Sequence, residues 1–143
     1  MKPKNDKEFT AALEAIYNRI EAVADASGVT EWNANVQTLR RETITQAPWF
    51  IKKLWGSNVS ATVLHPPIFQ DAIYLFDAFW EKPLARRAAI MIHEVKHVLQ
   101  RHRGGLSYWK YVTDKNYKQL VESEAIREEL RFETMQARHF PNG

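Results

Sequence analysis

The chain contains no cysteine among its 143 residues. Disulfides, thiolate metal ligands and cysteine nucleophiles are therefore excluded, and any bound metal must be held by histidine and carboxylate. No window approaches the roughly 18 consecutive apolar residues of a membrane-spanning helix. The opening residues Met1-Lys2-Pro3-Lys4-Asn5-Asp6 are not followed by the apolar stretch of a secretory signal. The expectation is a cytoplasmic protein with no membrane partner. Glycine is scarce, and no repeat, low-complexity tract or linker divides the sequence, so residues 1–143 are expected to form a single domain large enough for a real core.

Aromatic residues are plentiful: five Trp, five Tyr and seven Phe. The charge is mildly basic, formally +3. Its densest clusters are Arg86-Arg87 and Arg101-His102-Arg103, both short and without interleaved aromatics. They read as the solvated ends of a helix, where Arg101 and Arg103 suit the C-terminal dipole, and a nucleic-acid partner is not expected.

The most informative residues are His93-Glu94-Val95-Lys96-His97, an intact HExxH. On a helix, two histidines four residues apart share one face and can share one metal ion. The glutamate projects beside them, where it can take a proton from a metal-activated water. The bland alternative is a charged turn with two solvated histidines. Against it, Ile90, Met91, Val98 and Leu99 make the segment look like a core helix, in which histidines need partners.

Along the chain, Asp6 is read as the N-cap of a helix reaching about Ala26 and ended by Ser27-Gly28. Its apolar stripe is Phe9, Leu13, Ile16, Ile20 and Val23. Residues 29–45 give no clear period. Pro48 starts a short helix carrying Trp49, Phe50, Leu54 and Trp55 and stopped at Gly56; its crowded aromatics suggest core or a lid. Val59 to His65, halted by Pro66-Pro67, and Ile73 to Trp80 read as strands. His65 is taken as a structural strand-end residue. Pro83 then opens the motif helix, expected from about Leu84 to Arg101 and closed at Gly104-Gly105. A last helix runs from Tyr117 to about Gln136.

Two histidines need at least one more protein ligand. The last helix offers Glu122, Glu124, Glu128, Glu129 and Glu133, most of them expected to pair at helical spacing with Arg127 and Arg131. Its apolar stripe, Val121, Ala125, Phe132 and Met135, takes in Glu128 and is flanked by Glu122 and Glu124. Spacing alone does not choose among the three.

The segment from Ile73 to about Phe132 resembles the gluzincin group of zincin metallopeptidases in a minimal form. The residues carrying the likeness are Ile73-Tyr74-Leu75 through Phe79, Ile92 to Gln100 around the motif, and Glu122-Ser123-Glu124-Ala125. In that group an edge strand passes beside the motif helix, and a following helix supplies a glutamate that opens an E-x-x-A pattern. The resemblance implies an α+β zincin-like fold, mainly helical with a small sheet beside the motif helix. It implies Zn2+ bound by His93, His97 and Glu122, with Glu94 as general base. One departure is position 126: many gluzincins place a supporting Asp there, and this chain has Ile126. Asp114-Lys115-Asn116-Tyr117 also resembles the Asp-x-x-Tyr of aspzincins, without its glycines, which makes Asp114 a rival third ligand. Tyr108, Tyr111, Tyr117 and His102 are candidates for the donor that stabilises an oxyanion. The expected activity is zinc-dependent hydrolysis of a peptide bond in a protein or peptide substrate. The alternative is a non-catalytic zincin-like binding or assembly module.

Overall fold

The computed structural model describes residues 1–56, 58–64, 72–102 and 108–142. His65, Pro66-Pro67, Arg103 and Gly104-Gly105 lie outside the described residues, as do the side chains of His102 and Tyr108. Helix α1 spans Asp6–Ser27. Its cap is Asn5, one residue before the expected Asp6: the Asn5 side chain accepts from the Glu8 N–H at 2.9 Å, and Asp6 is the first helical residue. Gly28 closes the helix at φ 73°, where a side chain would be strained, and its N–H bonds Ala24 O.

The stretch without a clear period contains helix α2, Thr30–Arg41, and strand β1, Ile44–Gln46. Trp32, Val36 and Leu39 recur one turn apart and are wholly buried, and apart from Ala34 the rest of the helix is polar. Helix α3, Trp49–Trp55, ends at Gly56 as expected. Trp49, Phe50 and Leu54 on it are exposed, while Ile51 is buried and Trp55 packs partly buried against the same small cluster, so only part of the aromatic group is core.

Strand β2 is Ala61–Leu64 and strand β3 is Ala72–Leu75. The expected strand from Ile73 to Trp80 stops early. At Phe76 the chain turns into a single helical turn, α4, Asp77–Trp80, which directs Phe79 and Trp80 into the interior. The sheet order is β1-β3-β2, with β1 parallel and β2 antiparallel to β3. The central strand is therefore β3, and the edge strand packed against the motif helix is β2. Every residue of β3 is buried, because alternate side chains serve two cores. Ile73 and Leu75 join the main core, while Ala72 and Tyr74 join a smaller cluster with Ile51 of α3.

The motif lies on α5, Leu84–His102. A short helix α6, Tyr108–Thr113, leads to α7, Lys115–His139. One side of α5 carries Ala88, Met91, Ile92, Val95 and Val98 into the main core with α1, α2 and β3. The other side carries Arg86, His93, His97 and Gln100 against α7. The molecule is thus mainly helical with a small three-stranded sheet. Among the described residues no helix is long and apolar enough to cross a membrane.

Candidate metal centre

Helices α5 and α7 run antiparallel, joined by a polar ladder. As α5 advances from Arg86 through His93 and His97 to Gln100, its partners on α7 retreat from Glu133 and Glu129 through Glu122 to Val121. The apolar stripe of α7 sets this arrangement. Val121, Ala125 and Phe132 are buried, and Phe132 packs edge-on against Trp32 at 5.0 Å. With that stripe turned inward, helical geometry puts Glu122, Glu129 and Glu133 on one flank and Glu124 and Glu128 on the other.

The first flank meets the motif. His93 Nε2 and His97 Nε2 are 3.2 Å apart, and Glu122 Oε1 is 3.3 Å from the first and 3.1 Å from the second. The three atoms form a nearly equilateral triangle, and these residues could together hold one metal ion. Zinc at about 2.0 Å from each of three tetrahedral ligands sets them roughly 3.3 Å apart, so this donor set fits zinc in both chemistry and spacing.

Each histidine is oriented through its other nitrogen. The Nδ1–H of His93 donates to Glu129 Oε1 at 2.7 Å, and that of His97 donates to Gln100 Oε1 at 2.9 Å. The Gln100 amide can point only one way, because its Nε2 donates to Val121 O and Glu124 Oε2, both acceptors. Both Nε2 atoms are therefore turned toward Glu122, with each ring held from its other nitrogen, as an outer partner holds a metal-ligating histidine. Glu129 is in turn paired with Arg86, which also bonds Glu133. Sequence reasoning missed the roles of Glu129 and Arg86. Ile126 is 45% exposed, and the carboxylate that bonds His93 comes from Glu129, three residues further along α7.

The electrostatics favour positive charge at the point of convergence. Burial opposes protonation of His93, but the hydrogen bonds it donates to Glu122 and Glu129 outweigh it and push the imidazole up to about 10. Burial would raise Glu122, yet its histidine contacts hold it far below the usual carboxylate range. Glu94 is buried, burial pushes its carboxyl up, and its Oε2 has no hydrogen-bond partner. An ionisable oxygen orphaned beside two histidines is costly unless something is to be bound there.

The other candidates are engaged elsewhere. Glu124 accepts from Gln100, and Glu128 Oε1 accepts from Trp32 Nε1 at 3.0 Å. Asp114 caps α7, accepting from the N–H groups of Asn116 and Tyr117 at 3.0 and 3.1 Å. Of the oxyanion-donor candidates, Tyr111 reaches the cluster, donating to Glu122 Oε2 at 3.4 Å, while Tyr117 lies under the Lys110 ammonium. Arg87 and Arg101 of the basic clusters are also engaged within the fold: Arg87 donates to Trp80 O and Arg101 lies 3.8 Å from Glu42. Arg131 meets Glu128 at the expected helical spacing.

A cleft of about 360 Å³ opens beside the cluster, between α5 and the start of β2. Glu94, His93 and Ile90 form part of one wall, and Ser60 and Ala61 part of the other. Phe76 N–H bonds Ser60 O, so the antiparallel alternation turns the N–H and C=O of Ala61 away from β3.

Comparison of the chain with protein-family models, with curated proteins and with solved structures finds no match.

Proposed function

We propose that the chain is a small zinc-dependent metallopeptidase of zincin type, hydrolysing peptide bonds in a protein or peptide substrate. The observation that carries this reading is the convergence of His93 Nε2, His97 Nε2 and Glu122 Oε1 beside the buried, unpartnered Glu94 Oε2. When bound, zinc supplies Lewis-acid activation of a water molecule and of the scissile carbonyl. The chain's own residues do the rest. Glu94 accepts the water proton at Oε2 and returns it to the leaving amine, a role suited by the raised proton affinity that burial gives it. Ala61 offers its outward backbone groups to an extended substrate, so that the peptide lies in the cleft between β2 and α5. Tyr111 steadies the second oxygen of Glu122. A binding module without catalysis accounts less well for the site, because it leaves Glu94 buried at a cost and without a task.

Elemental analysis and a peptide-cleavage assay on wild type, His97→Ala and Glu94→Gln test the proposal together. The expected result is one zinc per chain in wild type and Glu94→Gln, lost in His97→Ala. Cleavage should fall about 10²–10⁴-fold in Glu94→Gln. Wild-type protein that takes up no metal when offered zinc would sink the reading.

A further inference from the structure

The cleft has a charged far end that this chemistry does not use. Arg86, Ile90, His93 and Glu94 line it from α5, and Lys82 lines it from the segment just before the helix, so the cleft runs along α5 from the catalytic end past the helix start. Arg86 is neutralised by Glu129 and Glu133, and Glu129 is held by His93 as well. Lys82 has no ion-pair partner among the described residues. It is the cation of this wall left free to meet a ligand.

We infer that Lys82 is a specificity-determining residue that recognises a carboxylate on the substrate peptide, within about five residues of the scissile bond and on one side of it only. This inference rests on the peptidase reading. From Leu84, where α5 begins two residues after Lys82, to Glu94 is roughly 15 Å of helix, so Lys82 stands about five extended residues from Glu94. A peptide laid along β2 from Glu94 therefore reaches Lys82. The β2 side of the cleft carries Asn58, Ser60 and Ala61, whose side chains are uncharged. A carboxylate at that point would form a charge-assisted hydrogen bond in a partly enclosed cleft, worth about tenfold in affinity.

Binding and cleavage are measured separately to test this. Fluorescently labelled, C-terminally amidated peptides carrying Glu or Gln at successive positions are titrated by anisotropy against zinc-loaded Glu94→Gln protein and against the same protein carrying Lys82→Glu as well. A parallel series ends in a free carboxylate at those positions, which separates a side-chain acid from a chain terminus. The same peptides are offered to wild-type and Lys82→Glu enzyme for cleavage. The expected outcome is about tenfold tighter binding of an acidic peptide at one position, faster cleavage of it by wild type, and reversal toward basic peptides in Lys82→Glu. Cleavage without acidic preference, or a preference unchanged in Lys82→Glu, overturns the role of Lys82 and leaves the peptidase reading standing. Acid-selective binding that depends on Lys82, with no cleavage of any peptide, keeps the recognition site and overturns the peptidase reading. Neither binding nor cleavage overturns both.

Discussion

Replacing Glu129 with glutamine keeps the shape of a side chain that never touches the proposed metal position but removes its charge. Glu129 fixes the His93 ring through a 2.7 Å bond and strengthens the ring as a donor, so Glu129→Gln should weaken zinc binding about 10–100-fold at neutral pH. Competition with a chromophoric chelator measures the loss, and unchanged affinity would show that Glu129 is only a surface partner of Arg86. The same assay has a pH signature. Because His93 is pushed up to about 10, it still holds its proton at neutral pH, and zinc must displace that proton. Affinity should therefore rise with pH, about tenfold per unit for each proton released, and continue rising well above the ordinary histidine value of about 6.5. In Glu129→Gln the rise should level off at lower pH, since one cause of the shift is gone. Affinity that is already flat above neutrality in wild type would contradict this.

The packing of α7 on α5 decides which carboxylates reach the histidines. Ala125 is wholly buried, one turn from both Glu122 and Glu129. Ala125→Leu should force the helices apart at an overpacking cost of about 1–3 kcal/mol and lower zinc loading along with stability. Leu130→Ala, at a side chain 55% exposed, should stay within about 0.5 kcal/mol and load normally. Urea denaturation with zinc quantification reads both effects, and normal loading in Ala125→Leu would show that close approach is not required. The same interface explains what was legible in the sequence. Helices α1, α5 and α7 announce themselves by long apolar stripes, and His93, Glu94 and His97 by a compact motif. Glu122, Glu124 and Glu128 could not be separated by spacing, because the choice depends on how far α7 is rotated about its axis, and that is fixed by Phe132 docking on Trp32. Glu129 belongs to no motif; its only signal is that it stands seven residues, two turns, after Glu122. Helix α2 shows a usable signal in Trp32, Val36 and Leu39, diluted by Thr, Asn and Gln. Strand β3 was over-read because Ile73 to Trp80 is almost uninterruptedly apolar, and such a run does not reveal where an extended backbone turns helical to bury Phe79 and Trp80.

Across the whole molecule, the three proposed ligands join two helices whose contributing residues stand far apart in sequence. A metal that binds only the folded arrangement stabilises it by mass action. Zinc at a hundredfold excess over its dissociation constant should add about 2.7 kcal/mol and raise the melting temperature by roughly 5–10 °C. Calorimetry with zinc and with chelator tests this, and a melting temperature blind to zinc would mean that the triangle of donors does not clamp α5 to α7. The same comparison in His97→Ala should show no difference.

The outward face of α3 has an optical consequence. Trp49 is 72% exposed, whereas Trp32 and Trp80 are 0% and 2% exposed. Iodide in solution can collide with the first indole and not with the other two, so quenching should remove a red-edge component of the emission and leave the blue component intact. With Trp55 and Trp109 replaced by phenylalanine, the chain's own fluorescence separates events at the surface of α3 from events in the interior, with no label attached.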